Sequence, residues 1–131
     1  MNLDEYRNRL SPYDLRIFND IYDCFAGFAT QMLLEASTED DTIIRIIEEY
    51  WDIPSSDIEL ILLDEKIKAA LKRLRVFMKG NGYRDSEIEI FMKTNMVQNR
   101  LRCEHELLMQ WKHPEKIYKA VQKKKKRAGS V

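Results

Sequence analysis

The chain has 131 residues, 44% apolar and 34% charged, with only 4 Gly, 3 Pro and 2 Cys. That is room for one compact domain; it excludes collagen-like, low-complexity and disulfide-scaffold classes and favours long helices. The formal net charge is zero, but Met1 to Glu65 holds 16 acidic and 4 basic residues, and Lys66 to Val131 holds 6 acidic and 18 basic.

No apolar run approaches the roughly 18 residues that a membrane span needs, so no membrane role is expected. Asp4, Glu5, Arg7 and Arg9 fall where a signal peptide would be apolar. Cys24 and Cys103 suit a reducing compartment, and a cytoplasmic location is expected.

Leu3, Tyr6 and Leu10 repeat at helical spacing and predict a short opening helix. Ser11-Pro12 is a start signal, with Ser11 as N-cap and Pro12 in the first helical position. Leu15, Phe18, Tyr22, Phe25, Ala29 and Met32 then recur at steps of three and four, widened by Ile21, Phe28 and Leu33. They predict a helix of about six turns with a broad buried face, and Cys24, lying within it, reads as core.

The polar stretch Ser37 to Thr42 breaks that helix. Ile43, Ile44, Ile46, Ile47, Tyr50 and Trp51 follow as a short helix buried on several sides. Ile53-Pro54-Ser55-Ser56 is a turn, and Ser56 or Asp57 begins a helix carrying Leu60, Leu63, Ile67, Ala70, Leu74 and Phe77. Gly80-Asn81-Gly82 stops it, since glycine accepts the left-handed conformation that closes a helix. Asp85-Ser86 caps the next helix, on which Ile90, Val97, Leu101, Leu108 and Trp111 form a heptad seam interrupted by Thr94 and Glu104. His113-Pro114 starts a final helix with Ile117, Tyr118 and Val121. The expected fold is all-α: a single-domain bundle of five or six helices with short connections over 1–122, then a basic, flexible tail over 123–131.

Two segments have helix-turn-helix character. In Ile46 to Ile58 the second helix would open with Asp57 and Glu59, and carboxylates facing phosphates are repelled; two packed bundle helices is the simpler reading. The other runs from Gly82-Tyr83-Arg84-Asp85-Ser86-Glu87-Ile88 through Lys93 to Arg102. It resembles region 4 of bacterial sigma factors in its Gly, Glu-Ile, turn and Val-x-x-Arg-Leu order, over about 20 residues. The spacing between Ile88 and Val97 is about two residues short of that pattern, and the turn lacks a glycine. The stretch could equally run as one uninterrupted helix, which the heptad seam prefers. On the sigma-like reading Lys93, Arg100 and Arg102 meet phosphates, and Asn95, Gln98 and Asn99 are the candidate base readers.

The basic terminus is a broader signal. Lys112, Lys116, Lys119, Lys123, Lys124, Lys125, Lys126 and Arg127 crowd into 16 residues near Trp111 and Tyr118. A lysine is a point charge that binds phosphate without reading sequence. Catalytic groupings are absent: Cys103 and His105 point apart on a helix, and His105-Glu106 lacks the second histidine of a zinc-protease motif. Gly80-Asn81-Gly82 reads as a helix stop and not a phosphate cradle. No metal, cofactor or catalytic residue is expected. Met78, Met92, Met96 and Met109 lie beside the seams, as core or as an adaptable surface.

The sequence therefore points to a small non-enzymatic, regulatory binding protein that engages nucleic acid or a nucleoprotein complex through its basic C-terminal half. The alternative is a protein-binding adaptor or inhibitor, of the mobile-element or anti-defence kind, in which Asp14, Asp20, Asp23, Glu39, Asp40 and Asp41 mimic phosphates. A homodimer closed through Ile90, Val97, Leu101 and Leu108 is compatible with either.

Overall fold

A computed structural model describes the backbone of residues 3–129 and the side chains of residues 5–122. The described residues form eight helices and no strand: α1 Leu3–Asn8, α2 Pro12–Glu35, α3 Asp40–Trp51, α4 Ser55–Gly80, α5 Asp85–Thr94, α6 Val97–Cys103, α7 His105–Leu108 and α8 Pro114–Gly129. The fold is all-α, but five or six helices becomes eight because the helix expected from Asp85 through Trp111 is broken twice, at Asn95-Met96 and at Glu104. The chain divides into two compact units, Met1–Leu62 and Leu63–Val131, with α4 contributing residues to both. That division lies three residues from the change of charge at Glu65 and Lys66. The acidic and basic halves are therefore two structural units carrying −10 and +10.

In the first unit, Ser11 caps α2 as its sequence implies: its Oγ accepts the Asp14 amide at 3.1 Å, and Pro12 opens the helix. Tyr6 of α1 lies against Phe18, with ring centroids 5.1 Å apart, and the Arg7 guanidinium sits over Phe18 and Tyr22. Burial pushes the Tyr22 hydroxyl above its usual range, with Arg7 opposing the shift. Ala26, Thr30 and Leu34 are buried on one face of α2, and Ile43 and Ile47 are buried on α3, which packs against it. The Thr30 hydroxyl is satisfied by donating to the Ala26 carbonyl at 2.8 Å.

The broad buried face expected of α2 is not what forms. Ile21, Phe25, Phe28 and Met32 are exposed, and so is Cys24. Apolar residues run most of the way round this helix, so periodicity alone identifies no single inward face. The buried positions of this helix are instead Ala26, Thr30 and Leu34, two of them small.

In the second unit Ile67, Ala70, Leu74 and Met78 of α4 are buried, together with Ile88, Met92, Val97, Leu101, Leu107, Leu108, Trp111, Ile117 and Val121. Met78 and Met92 are thus core, whereas Met96 and Met109 are exposed. Leu60, expected on the inward stripe of α4, is also exposed. At the end of α4, Gly82 adopts φ 92° and the Tyr83 amide reaches back to the Met78 carbonyl at 3.1 Å, a helix stop of the left-handed kind. The cap of α5 falls on Arg84, one residue earlier than expected, with the Glu87 carboxylate accepting the Arg84 amide at 3.0 Å. Tyr118 of α8 is the centre of an aromatic group: its ring contacts Phe77, Tyr83 and Phe91, and its hydroxyl shares a short hydrogen bond with that of Tyr83.

Of the four residues proposed for a dimer seam, Val97, Leu101 and Leu108 are buried inside this unit and only Ile90 is exposed. A face already covered by its own chain has no surface left for a second copy, so that seam is corrected to an internal core.

Candidate nucleic-acid interface

Whether the helix that starts at Asp85 runs on or breaks is decided locally at Asn95 and Met96. The Asn95 side-chain amide donates to the Phe91 carbonyl at 2.9 Å, closing the end of α5, and Met96 turns the chain with φ 49°. A break therefore exists where the uninterrupted-helix reading has none. The helix that follows, α6, is only seven residues long.

These contacts sort the candidate residues. Asn95 is buried and its Nδ2 donates to its own helix, so little of its amide is left to face a base. Arg100 is turned inward: Nε donates to Glu104 at 2.8 Å and Nη1 to the Val121 carbonyl at 3.4 Å, tying α6 to α8. Arg102 donates to Asp64 of α4 at 2.8 Å. Lys112 lies 5.1 Å from the Trp111 ring centroid, and Arg73 is stacked on the same ring at 4.8 Å. Arg100 and Arg102 thus join helices to one another.

Gln98 and Asn99 are exposed at the start of α6. They border open grooves of about 450 and 380 Å³ around the α5–α6 turn. Lys116 and Lys119 are exposed on α8, and among the described residues neither has an ion-pair partner. Their faces lie roughly opposite the fully buried Ile117 and Val121. The α8 backbone remains helical to Gly129, so positions 123, 126 and 127 follow 116 and 119 at three- and four-residue steps. The side chains of Lys123, Lys124, Lys125, Lys126 and Arg127 lie outside the described residues.

One further cation, Lys72, escaped the sequence-based selection, and it joins Lys93 of the sigma-like reading. Lys72 of α4 and Lys93 of α5 are exposed with no ion-pair partner among the described residues. The signal at Lys72 is negative: the residues three and four positions away on α4 are Lys68, Ala69, Arg75 and Val76, with no carboxylate among them. Elsewhere the carboxylates of this unit are used locally, as in Arg75–Glu89 at 3.1 Å, Lys79–Asp85 at 3.5 Å and Lys68–Glu65 at 3.2 Å.

Among the described residues no three His, Cys, Asp or Glu side chains converge as a metal site would require, and no helix is long and apolar enough to cross a membrane. Comparison with models of known families, with curated proteins and with solved structures finds no match to this chain.

Proposed function

We propose that this chain is a non-enzymatic binding protein whose C-terminal unit holds nucleic acid by its phosphate backbone, with α8 as the contacting element. One observation carries the reading: burial of Ile117 and Val121 turns the Lys116 and Lys119 face outward on a helix that continues into the run of residues 123–127. Cations fixed on one helix face present a row of charge, and such a row binds by releasing counterions from the polyanion. Sequence reading has little to work with here. Asn95 is engaged with Phe91, and only Gln98 and Asn99 remain as exposed amides at the head of a short helix. Binding is accordingly general, with duplex and single strand both accepted.

Filter binding with the full chain tests this. Duplex and single-stranded DNA of mixed sequence should both be retained at low salt, and Lys116→Glu combined with Lys119→Glu should weaken retention of both. Retention of neither form at low salt removes the proposal. Strong preference for one duplex sequence would replace it with specific readout.

A further inference from the structure

The acidic N-terminal unit has a surface that nucleic-acid binding does not use. Along α2, Tyr13, Ile17, Ile21, Phe25, Phe28 and Met32 are exposed by 73, 40, 51, 63, 61 and 63%, and Cys24 is exposed among them. At 100° per residue these seven positions fall within one third of the helix circumference, a continuous apolar ridge about 28 Å long. Scattered apolar residues on a surface need no explanation, but a ridge of this size marks an interaction site.

We propose that this ridge is the interface of a homodimer, formed by two α2 helices packed antiparallel about a two-fold axis near Tyr22 and Asp23. Two properties select a second copy. The first is symmetry. Six of the seven positions, 13, 17, 21, 24, 28 and 32, are spaced by four, four, three, four and four, which reads the same in both directions, while Phe25 at the ridge's edge comes level with Asp20 of the other copy. An isologous interface requires that self-complementarity. Antiparallel pairing then sets Tyr13 against Met32, Ile17 against Phe28, and Ile21 against Cys24 of the other copy.

The second property is area. Three aromatic side chains at these exposures offer about 400 Å², and the two isoleucines and the methionine add about 150–200 Å². Fully covered, the two ridges bury at most about 1,100–1,200 Å² together, which reaches the roughly 1,000 Å² that a biological interface should clear.

Charge makes the dimer distinctive. Each N-terminal unit carries −10, and Asp20 flanks the ridge near the axis, so the copies repel at low salt. Added salt screens this repulsion and leaves the apolar contact intact. Self-association therefore strengthens with salt, whereas binding to nucleic acid weakens, and failure of one leaves the other standing.

Sedimentation of the full chain over a wide concentration series, at low and at physiological salt, reads the assembly. The expected mass rises from 15.7 kDa to twice that value, at lower concentration when salt is present. Phe28→Lys places a charge on an exposed site; it should keep the helical circular dichroism signal and lose the dimer. A Cys103→Ser chain, in which Cys24 is the sole thiol, should give a covalent dimer with a short bifunctional thiol reagent. A chain that stays monomeric at every concentration and salt overturns the proposal, and that is also the result if the ridge serves a different protein. A dimer that persists in Phe28→Lys and leaves Cys24 uncross-linked overturns it as well.

Discussion

Arg100 and the pair Lys116 and Lys119 are all cations of the basic unit, yet their surroundings assign them different work, and substitution separates the two. Arg100 is largely covered, its side chain 18% exposed and that of Glu104 29%. Its guanidinium makes one charge-assisted bond to Glu104 and one to the Val121 carbonyl. Hydrogen bonds to charged groups contribute about 1.5–3 kcal/mol, so Arg100→Ala should cost about that much in stability. Glu104 can regain some water, which keeps the cost toward the lower end. Lys116 and Lys119 stand in solvent, and their replacement by alanine should change stability by no more than about 0.5 kcal/mol each. The order reverses for DNA. Each lysine that neutralises a duplex phosphate contributes about 0.9 to the slope of log K against log salt. Lys116→Ala with Lys119→Ala should therefore flatten that slope by about 1.8, and Arg100→Ala should leave it unchanged. Urea unfolding and fluorescence anisotropy across a salt series read both quantities on the same samples. An Arg100→Ala chain of normal stability with a flattened slope would refute the assignment, because it would place that guanidinium on phosphate.

Further outcomes follow from the fold. Met96 occupies the left-handed region at φ 49° while largely exposed, a conformation that costs a side-chain-bearing residue about 1–2 kcal/mol; Met96→Gly should raise the urea midpoint by the equivalent of about 1 kcal/mol. Leu101 is fully buried, and Leu101→Ala should lower stability by about 2–5 kcal/mol in the same measurement. The Tyr83 hydroxyl is raised above its ordinary 10.0, first by its hydrogen bond to Tyr118 and then by burial. A folded-state value above the unfolded one means that this stabilisation is complete below pH 10 and is lost as pH climbs through the folded value. Tyr118→Phe should bring Tyr83 down in an ultraviolet titration and reduce the alkaline loss of stability; an unchanged Tyr83 titration would contradict the hydrogen-bond cause.

Local chemistry was legible wherever a residue type has only one comfortable use. Ser11-Pro12 starts α2 and Gly80-Asn81-Gly82 ends α4, as their side chains dictate. The break at Asn95-Met96 was not legible, because its left-handed residue is a methionine and its cap is an asparagine that served equally well as a base reader. Asn81 uses the same device on the Phe77 carbonyl, but there two glycines announce the turn. The faces of α2 were ambiguous for a different reason: with apolar residues on most of its circumference, which side turns inward depends on what α3 brings to it. Pairings such as Arg102 with Asp64 join residues 38 positions apart, and no helical spacing encodes them. The division of charge was visible from counting, and its meaning became clear only when it coincided with two units.

The most direct test of the central claim, that the basic unit carries cations available to a polyanion, is the affinity of the intact chain for duplex DNA as salt is raised. Engagement of about five phosphates gives a log–log slope near −4.5. A flat dependence, or no affinity at the lowest salt, would mean that the positive charge is neutralised within the protein, and the account would be wrong.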